Sequence, residues 1–234
     1  MHYRHPEFKA PENCQWLWRY MDFPQFMNML ETKSLYFRRL DLLDDPHEGS
    51  FNWLYNKDEE SKKKLVQERK HIGVNCWHCN REQSMAMWRL YARRQYGIAI
   101  RSTYDDLCKA ITSPQDTYIG KVEYWKNPPN LKYIGLYSGG VLHKLPCYDY
   151  EKEVRAVVHN RSLFWDNPKL TMWDFLYEGK EGVDISVDLS VLIKEVYTCP
   201  DSPDWLNNLV NSIIKKYKLN FKVHKSNLLN KPTC

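Results

Sequence analysis

The sequence predicts an α+β fold, a single domain with a curved, mainly antiparallel sheet flanked by helices. Three observations lead there. The 234 residues suit one large domain, because a single core grows to roughly 250 residues before chains divide. Strand-like and helix-like segments interleave, but the strands are short and irregularly spaced, without the βαβ rhythm of a doubly wound sheet. Neither a GxGxxG turn nor a P-loop is present. Residues 1–15 read as an N-terminal arm and 16–234 as the domain.

The elements follow from periodicity and capping. Trp16 to Tyr20 reads as a strand. Asp22, with Gln25 three residues on, makes a capping box, and Phe23, Phe26, Met27 and Leu30 follow at helical spacing. Leu35-Tyr36-Phe37 is the next strand, and Asp44-Asp45-Pro46-His47-Glu48-Gly49 a turn by composition. Residues 58–70 form a polar helix, and Val74 to Trp77 a short buried strand. Ser84 opens a helix carrying Met87, Trp88 and Tyr91 on one face, with Gly97 placed to end it. Gly97 to Ile100 then alternates as a strand. Thr103 with Asp106 caps a helix running to about Ile111. Tyr118 to Trp125 is a strand, and Pro128-Pro129 and Gly139-Gly140 bracket a loose insertion. Val154 to Val158, Val183 to Val187 and Leu192 to Tyr197 are strands. Ser202-Pro203 caps the last helix, whose apolar stripe is Trp205, Leu206, Leu209, Val210, Ile213, Ile214 and Tyr217. Leu219, Phe221 and Val223 alternate as a final strand.

Composition narrows the function classes. Apolar residues make up 43% of the chain and aromatics 14%, enough to build a packed core. Nine Trp and sixteen Tyr suit binding clefts as well as a core, and most are assigned to the core. The net charge of +5 is mild, and its densest runs, Lys62-Lys63-Lys64 and Lys215-Lys216, fall on solvated helix faces. Nucleic-acid contact is permitted by this balance but not indicated by it. No signal-like or bilayer-spanning apolar run occurs, so a cytoplasmic location without membrane contact is expected. The seven scattered cysteines predict reduced thiols and no disulfide framework.

Five groups of residues carry chemistry. Cys76-Trp77-His78-Cys79 offers two or three ligands where structural zinc needs four, so free thiols are expected and no metal. Arg19, beside Tyr20 on an early strand, has the planar fork that clamps phosphate, or bridges to a carboxylate. Asp45 and Glu48 would hold magnesium only if further carboxylates converged on them, and a turn explains Asp44. Ser102 and Thr103 place hydroxyls at a strand end, although Thr103 is accounted for as a helix cap. Glu151, Glu153 and Arg155 fall on one face of a strand, and adjacent carboxylates repel, which a structural face avoids. Paired carboxylates of this kind build acid/base or charge-stabilising sites; the same residues also fit an exposed charged edge strand with Lys152 and Arg155 as neutralising neighbours.

Taken in order, these stretches resemble a known family. Leu17-Trp18-Arg19-Tyr20, Leu35-Tyr36-Phe37 leading to Asp45-Pro46-His47-Glu48-Gly49, Met87-Trp88-Arg89-Leu90-Tyr91-Ala92 before Gly97, and Tyr150-Glu151-Lys152-Glu153-Val154-Arg155 look like domain of unknown function 2971. Val187-Asp188-Leu189, Val196-Tyr197, Pro200 and Ser226 extend the resemblance over nearly the whole chain. It departs at Arg38, where the family has a small residue, and at Asp44, where Asn is usual. The layout is also similar to ADP-ribosyltransferase-like domains, with a basic residue on the first strand and a late Glu-x-Glu pair.

That resemblance implies an NAD-consuming transferase or glycohydrolase with NAD as substrate. Arg19 would hold the pyrophosphate, with Tyr20 and Ser102 among the nucleotide contacts. Trp88 or Tyr91 would stack on nicotinamide. Glu153 would stabilise the developing positive charge, and Glu151 would act as base toward an acceptor, either protein, nucleic acid or water. Two alternatives stand beside it. One is a non-enzymatic module binding a nucleotide or a peptide; the other is a metal-dependent nuclease using Asp45, Glu48 and later carboxylates.

Overall fold

The structure is a computed structural model and describes residues 2–45, 63, 69–92, 94–126, 138–159 and 180–230. The turn beyond Asp45, nearly all of the polar helix at 58–70 and the Pro128-Pro129 stretch lie outside these residues.

The fold is α+β, with helices flanking a mainly antiparallel sheet. In chain order come β1 (Leu17–Asp22), α1 (Phe23–Thr32), β2 (Ser34–Arg39), β3 (Ile72–Cys79), α2 (Met85–Tyr91), β4 (Gly97–Ser102) and α3 (Tyr104–Ala110). Then follow β5 (Thr117–Lys121), β6 (Glu123–Tyr124), α4 (Ser138–Val141), β7 (His143–Lys144) and β8 (Glu153–His159). The chain continues with β9 (Gly182–Ser186), α5 (Leu189–Leu192), β10 (Glu195–Thr198), α6 (Asp204–Lys216) and β11 (Lys222–Lys225). The caps expected at Asp22 and Thr103 form. Asp22 Oδ1 accepts from the Gln25 N–H at 2.8 Å while Gln25 Oε1 accepts from the Asp22 N–H at 3.1 Å. Thr103 Oγ1 accepts from the Asp106 N–H at 3.1 Å.

Several expectations change, among them the strand expected over Tyr118–Trp125, which divides into β5 and β6, and the final strand, which holds Val223 but not Leu219 or Phe221. The helix opened by Ser84 ends at Tyr91, and Gly97 does not cap it. Gly97 instead begins β4 against the turn below, where a Cβ would sit 2.5 Å from the Ala92 carbonyl oxygen. Leu192 closes α5, so the strand expected from there starts only at Glu195. Pro203 is the N-cap of α6 without a side-chain bond; Ser202 Oγ lies 3.2 Å from Thr198 Oγ1 instead.

The chain divides into two compact units. The first comprises Met1–Pro11, Leu35–Cys76 and Ser113–Ile185. Here β8 pairs antiparallel with β5 over Val154–Val158, and Arg38 of β2 stands opposite Val74 of β3. Its core gathers Phe8, Leu40, Ile72, Val74, Tyr118, Val141, Leu142 and Val157. The N-terminal segment joins this unit: the Tyr3 N–H donates to the Thr117 carbonyl and the Lys121 N–H to the Lys9 carbonyl, both at 2.9 Å. Gly120 permits this, since a Cβ there would lie 3.0 Å from Phe8 Cα.

The second unit comprises Glu12–Ser34, Trp77–Thr112 and Ser186–Cys234. Its strands run β11-β10-β4-β1 and on to the last residues of β3. All these pairs are antiparallel except β10 with β11, for which α6 provides the crossover that a parallel pair needs. Residues opposite one another share a face. One face collects Trp18, Tyr20, His78, Ala99, Arg101, Glu195 and Tyr197; the other turns Leu17, Met21, Ile98, Ile100 and Val196 into the interior.

Cys14 and Cys79 form a disulfide, 65 residues apart in sequence, which overturns the expectation that all thiols are reduced. It also removes Cys79 from the free thiols of the CxxC run, leaving Cys76. Closing a loop of that length restricts the unfolded chain and adds about 4 kcal/mol of stability in the chain-entropy picture. Urea unfolding of the Cys14→Ser/Cys79→Ser protein is therefore expected to show a lower midpoint, and reductant should lower the wild-type midpoint without affecting the variant.

Candidate functional site

The strongest concentration of buried charge lies in the first unit, where β8 begins. Residues Pro146–Glu151 form a 3-10 turn, and Lys152 takes the left-handed conformation at φ 42° before Glu153 opens β8. The expected strand face of Glu151, Glu153 and Arg155 is thus broken: Glu151 belongs to the turn, and only Glu153 and Arg155 share the strand face.

The turn nonetheless brings both carboxylates to one cation. Lys144 Nζ donates to Glu151 Oε2 and lies 3.3 Å from Glu153 Oε2. Arg155 grips Glu153 with two nitrogens, Nε to Oε1 at 2.6 Å and Nη2 to Oε2 at 3.0 Å, while Nη1 donates to the Val141 carbonyl at 2.7 Å. The Tyr124 hydroxyl accepts from the Glu153 N–H at 2.8 Å, and the Cys76 thiol bonds the Glu153 carboxylate. Lys144 also sits 4.9 Å from the Tyr148 ring centre. All four charged residues are buried, and Arg155 has no exposed surface.

Burial pushes the Glu153 carboxyl up, but the Arg155 guanidinium and then the Lys144 ammonium outweigh it and hold it down to about 2. Burial also pushes the Tyr124 phenol far up, so it stays protonated. Two carboxylates and two cations balance. The Glu pair is therefore neutralised, by Arg155 as one reading of the sequence expected but by Lys144 of β7 as the second cation, and it is buried and not on an exposed edge. Sequence reasoning missed Lys144, Tyr124 and Cys76. Nothing at their own positions signalled them, because only the pairing of β8 and the turn before it bring them to Glu153.

The residues assigned to nucleotide binding lie in the second unit. Tyr20 and Trp88 come together edge to face, with ring centres 5.0 Å apart, inside a buried cluster with Trp18, Met87, Ala92, Ala99 and Cys199. The Tyr20 hydroxyl accepts from the Ser84 N–H at 2.9 Å, and Trp88 Nε1 donates to Gln83 Oε1 at 3.1 Å. Tyr91 is exposed at the end of α2. Arg19 alternates to the sheet face opposite Tyr20, across from Ile100. Ser102 is fully buried, and its Oγ donates to the Thr103 carbonyl at 3.4 Å. Tyr20 and Trp88 are thus brought together, while Arg19 is turned away from them.

In the stretch Arg101-Ser102-Thr103 sequence reasoning weighed only the hydroxyls; the Arg101 guanidinium lies 4.1 Å above the Trp16 ring and 2.7 Å from Glu195 Oε2. The Tyr197 hydroxyl donates to the same carboxylate at 2.5 Å. Asp45 is buried in the first unit, and Glu48 lies outside the described residues. Among the described residues no three His, Cys, Asp or Glu side chains gather as a metal site, and no helix is long and apolar enough to cross a membrane.

No protein-family model matches the chain, and no curated protein matches it in sequence. Among solved structures it is similar to Thermus sp. 2.9 DarT in complex with NAD+, at 8% identity over 93% of this chain and 98% of that one, with a TM-score of 0.44. The same DarT in complex with ADP-ribosylated ssDNA matches at 8% identity over 93% and 96%, with a TM-score of 0.39.

The charge network has a signature in pH. A carboxyl whose folded pKa lies below its unfolded value contributes stability above the unfolded pKa and loses it as pH falls through the folded one. For Glu153 that window runs from the ordinary 4.5 down to about 2. Thermal melts across this range are expected to show the wild type losing stability more steeply than Glu153→Gln. Arg155→Met, which strands a buried carboxylate, is expected to cost about 3–5 kcal/mol at neutral pH.

Proposed function

We propose that the chain is an NAD-consuming, ADP-ribosyltransferase-like enzyme in which Glu153 stabilises the positive charge that grows on ribose as nicotinamide departs. The observation that carries this reading is a buried carboxylate held ionised by two oriented cations. A fixed anion in a low-dielectric setting stabilises a nearby developing cation with little reorganisation. In the step itself the C–N glycosidic bond breaks and its electron pair leaves with nicotinamide. An acceptor oxygen then bonds to the ribose carbon and gives up its proton. Glu151, joined to Glu153 through Lys144, is the base assigned to that proton. The acceptor is a protein, a nucleic acid or water.

Arg19, Tyr20, Trp88, Tyr91 and Ser102 are proposed separately as nucleotide contacts. Tyr91 has the most accessible ring of the group, whereas Tyr20 and Trp88 are engaged with each other. Arg19→Ala and Tyr91→Ala test this through NAD affinity alone.

One observation favours a second reading, a module that binds a nucleotide or a peptide without turnover. The four charges of the network satisfy one another, as they do in a purely structural ion cluster.

Nicotinamide release from NAD by the purified chain, beside Glu153→Gln, separates the two. The enzyme reading expects release that the variant lowers by about 10²–10³-fold, with NAD affinity retained. Release that Glu153→Gln leaves unchanged would sink the role of Glu153. Binding of NAD without release, even with candidate acceptors present, would establish the module.

A further inference from the structure

We propose that the exposed face of α6, with Tyr96 beside it, is a binding surface for single-stranded nucleic acid. The first observation is how charge divides between the units. The first carries nineteen basic and nineteen acidic residues, and the second fifteen basic and ten acidic. The whole excess of the chain therefore belongs to the second unit, which a count over the full sequence conceals.

The second observation is what α6 leaves outside. Its buried side holds Leu206, Val210, Ile213 and Ile214. Trp205 and Leu209, expected in the same apolar stripe, are 53% and 38% exposed. Trp205, Asn208, Leu209, Ser212 and Lys216 follow one another on one face at helical spacing, with Lys215 at its margin. All six are exposed. That face extends about 16 Å, at 1.5 Å per residue. It begins with an indole, continues past the Asn208 amide and the Ser212 hydroxyl, and ends in two exposed ammonium groups. Asp204, next to Trp205, is bonded by Lys225 Nζ at 2.8 Å.

The third observation is a second ring. Tyr96 is 49% exposed and lies 5.9 Å from Trp205, tilted by 41°. It ends the 3-10 turn that Arg94 opens. Rings held in this way offer π-faces to unstacked bases, and lysines further along the helix face meet the phosphates. Here the large exposed side chains are interrupted by Asn208, Ser212 and lysines, which suits a strand of alternating bases and phosphates.

The test is fluorescence anisotropy of a labelled oligothymidylate titrated with the full chain. Binding is expected in roughly the micromolar range at low salt, weakening steeply as salt rises. Trp205→Ala and Tyr96→Ala should each weaken it about tenfold. Lys215→Glu/Lys216→Glu should weaken it and flatten its salt dependence. These are surface positions, so circular dichroism is expected to be unchanged. Three outcomes would each overturn the proposal. One is no binding at about 100 μM protein and low salt. Another is binding indifferent to both aromatic variants. The third is a dimer in sedimentation that Trp205→Ala converts to monomer, which would assign the face to a second copy of the chain.

Discussion

Arg155 has no exposed surface, and a guanidinium without solvent requires a counter-ion held in place. Much of the first unit around β8 is arranged to meet that requirement. Glu153, two residues earlier on the same strand face, supplies both oxygens. The Val141 carbonyl takes a third donor. The left-handed Lys152 lets the preceding turn return Glu151 to the site, and Lys144 joins the two carboxylates. The register of β8 against β5 sets where this cluster falls. Buried ion clusters add little net stability compared with apolar packing, but they are costly to break, so such a cluster tolerates few rearrangements.

The second unit is organised by the alternation of strand faces. Trp18 and Tyr20 enter one aromatic cluster with Trp88, and Arg101 reaches across the same face to lie over Trp16. Its charge is balanced by Glu195, which also accepts from the Tyr197 hydroxyl; burial, followed by that hydrogen bond, pushes the phenol up to about 12. Alternation sends Arg19 to the opposite face, beside residues that fill the apolar interior. Among the described residues of the second unit, aromatics therefore serve packing first, and the exposed rings, Tyr91, Tyr96 and Trp205, stand at the end of α2, just before β4 and at the start of α6.

The same physics bears on function. A carboxylate kept ionised in a low-dielectric setting is what charge-stabilising catalysis uses, and it is also what a self-satisfied ion cluster contains. What distinguishes them is whether a substrate cation replaces part of the Lys144 and Arg155 contact with Glu153. The surface of α6 poses a different question, since its chemistry is solvated and its exposed rings make no contribution to the core.

Legible in the chain were the caps at Asp22, Ser84 and Thr103, the existence of most strands and the strand face that Glu153 shares with Arg155. These rest on local effects, because side-chain caps and two-residue alternation act within a few positions. Sequence reasoning misread Gly97, the start of β10, the state of Cys79 and the side of α6 on which Trp205 and Leu209 lie. Each of those depends on what stands opposite, namely Ala92 beneath Gly97 and Cys14 beside Cys79. That Lys144 joins Glu151 to Glu153 was settled by folding, because Lys144 meets them through a turn and no periodicity in the chain records a contact made by folding back.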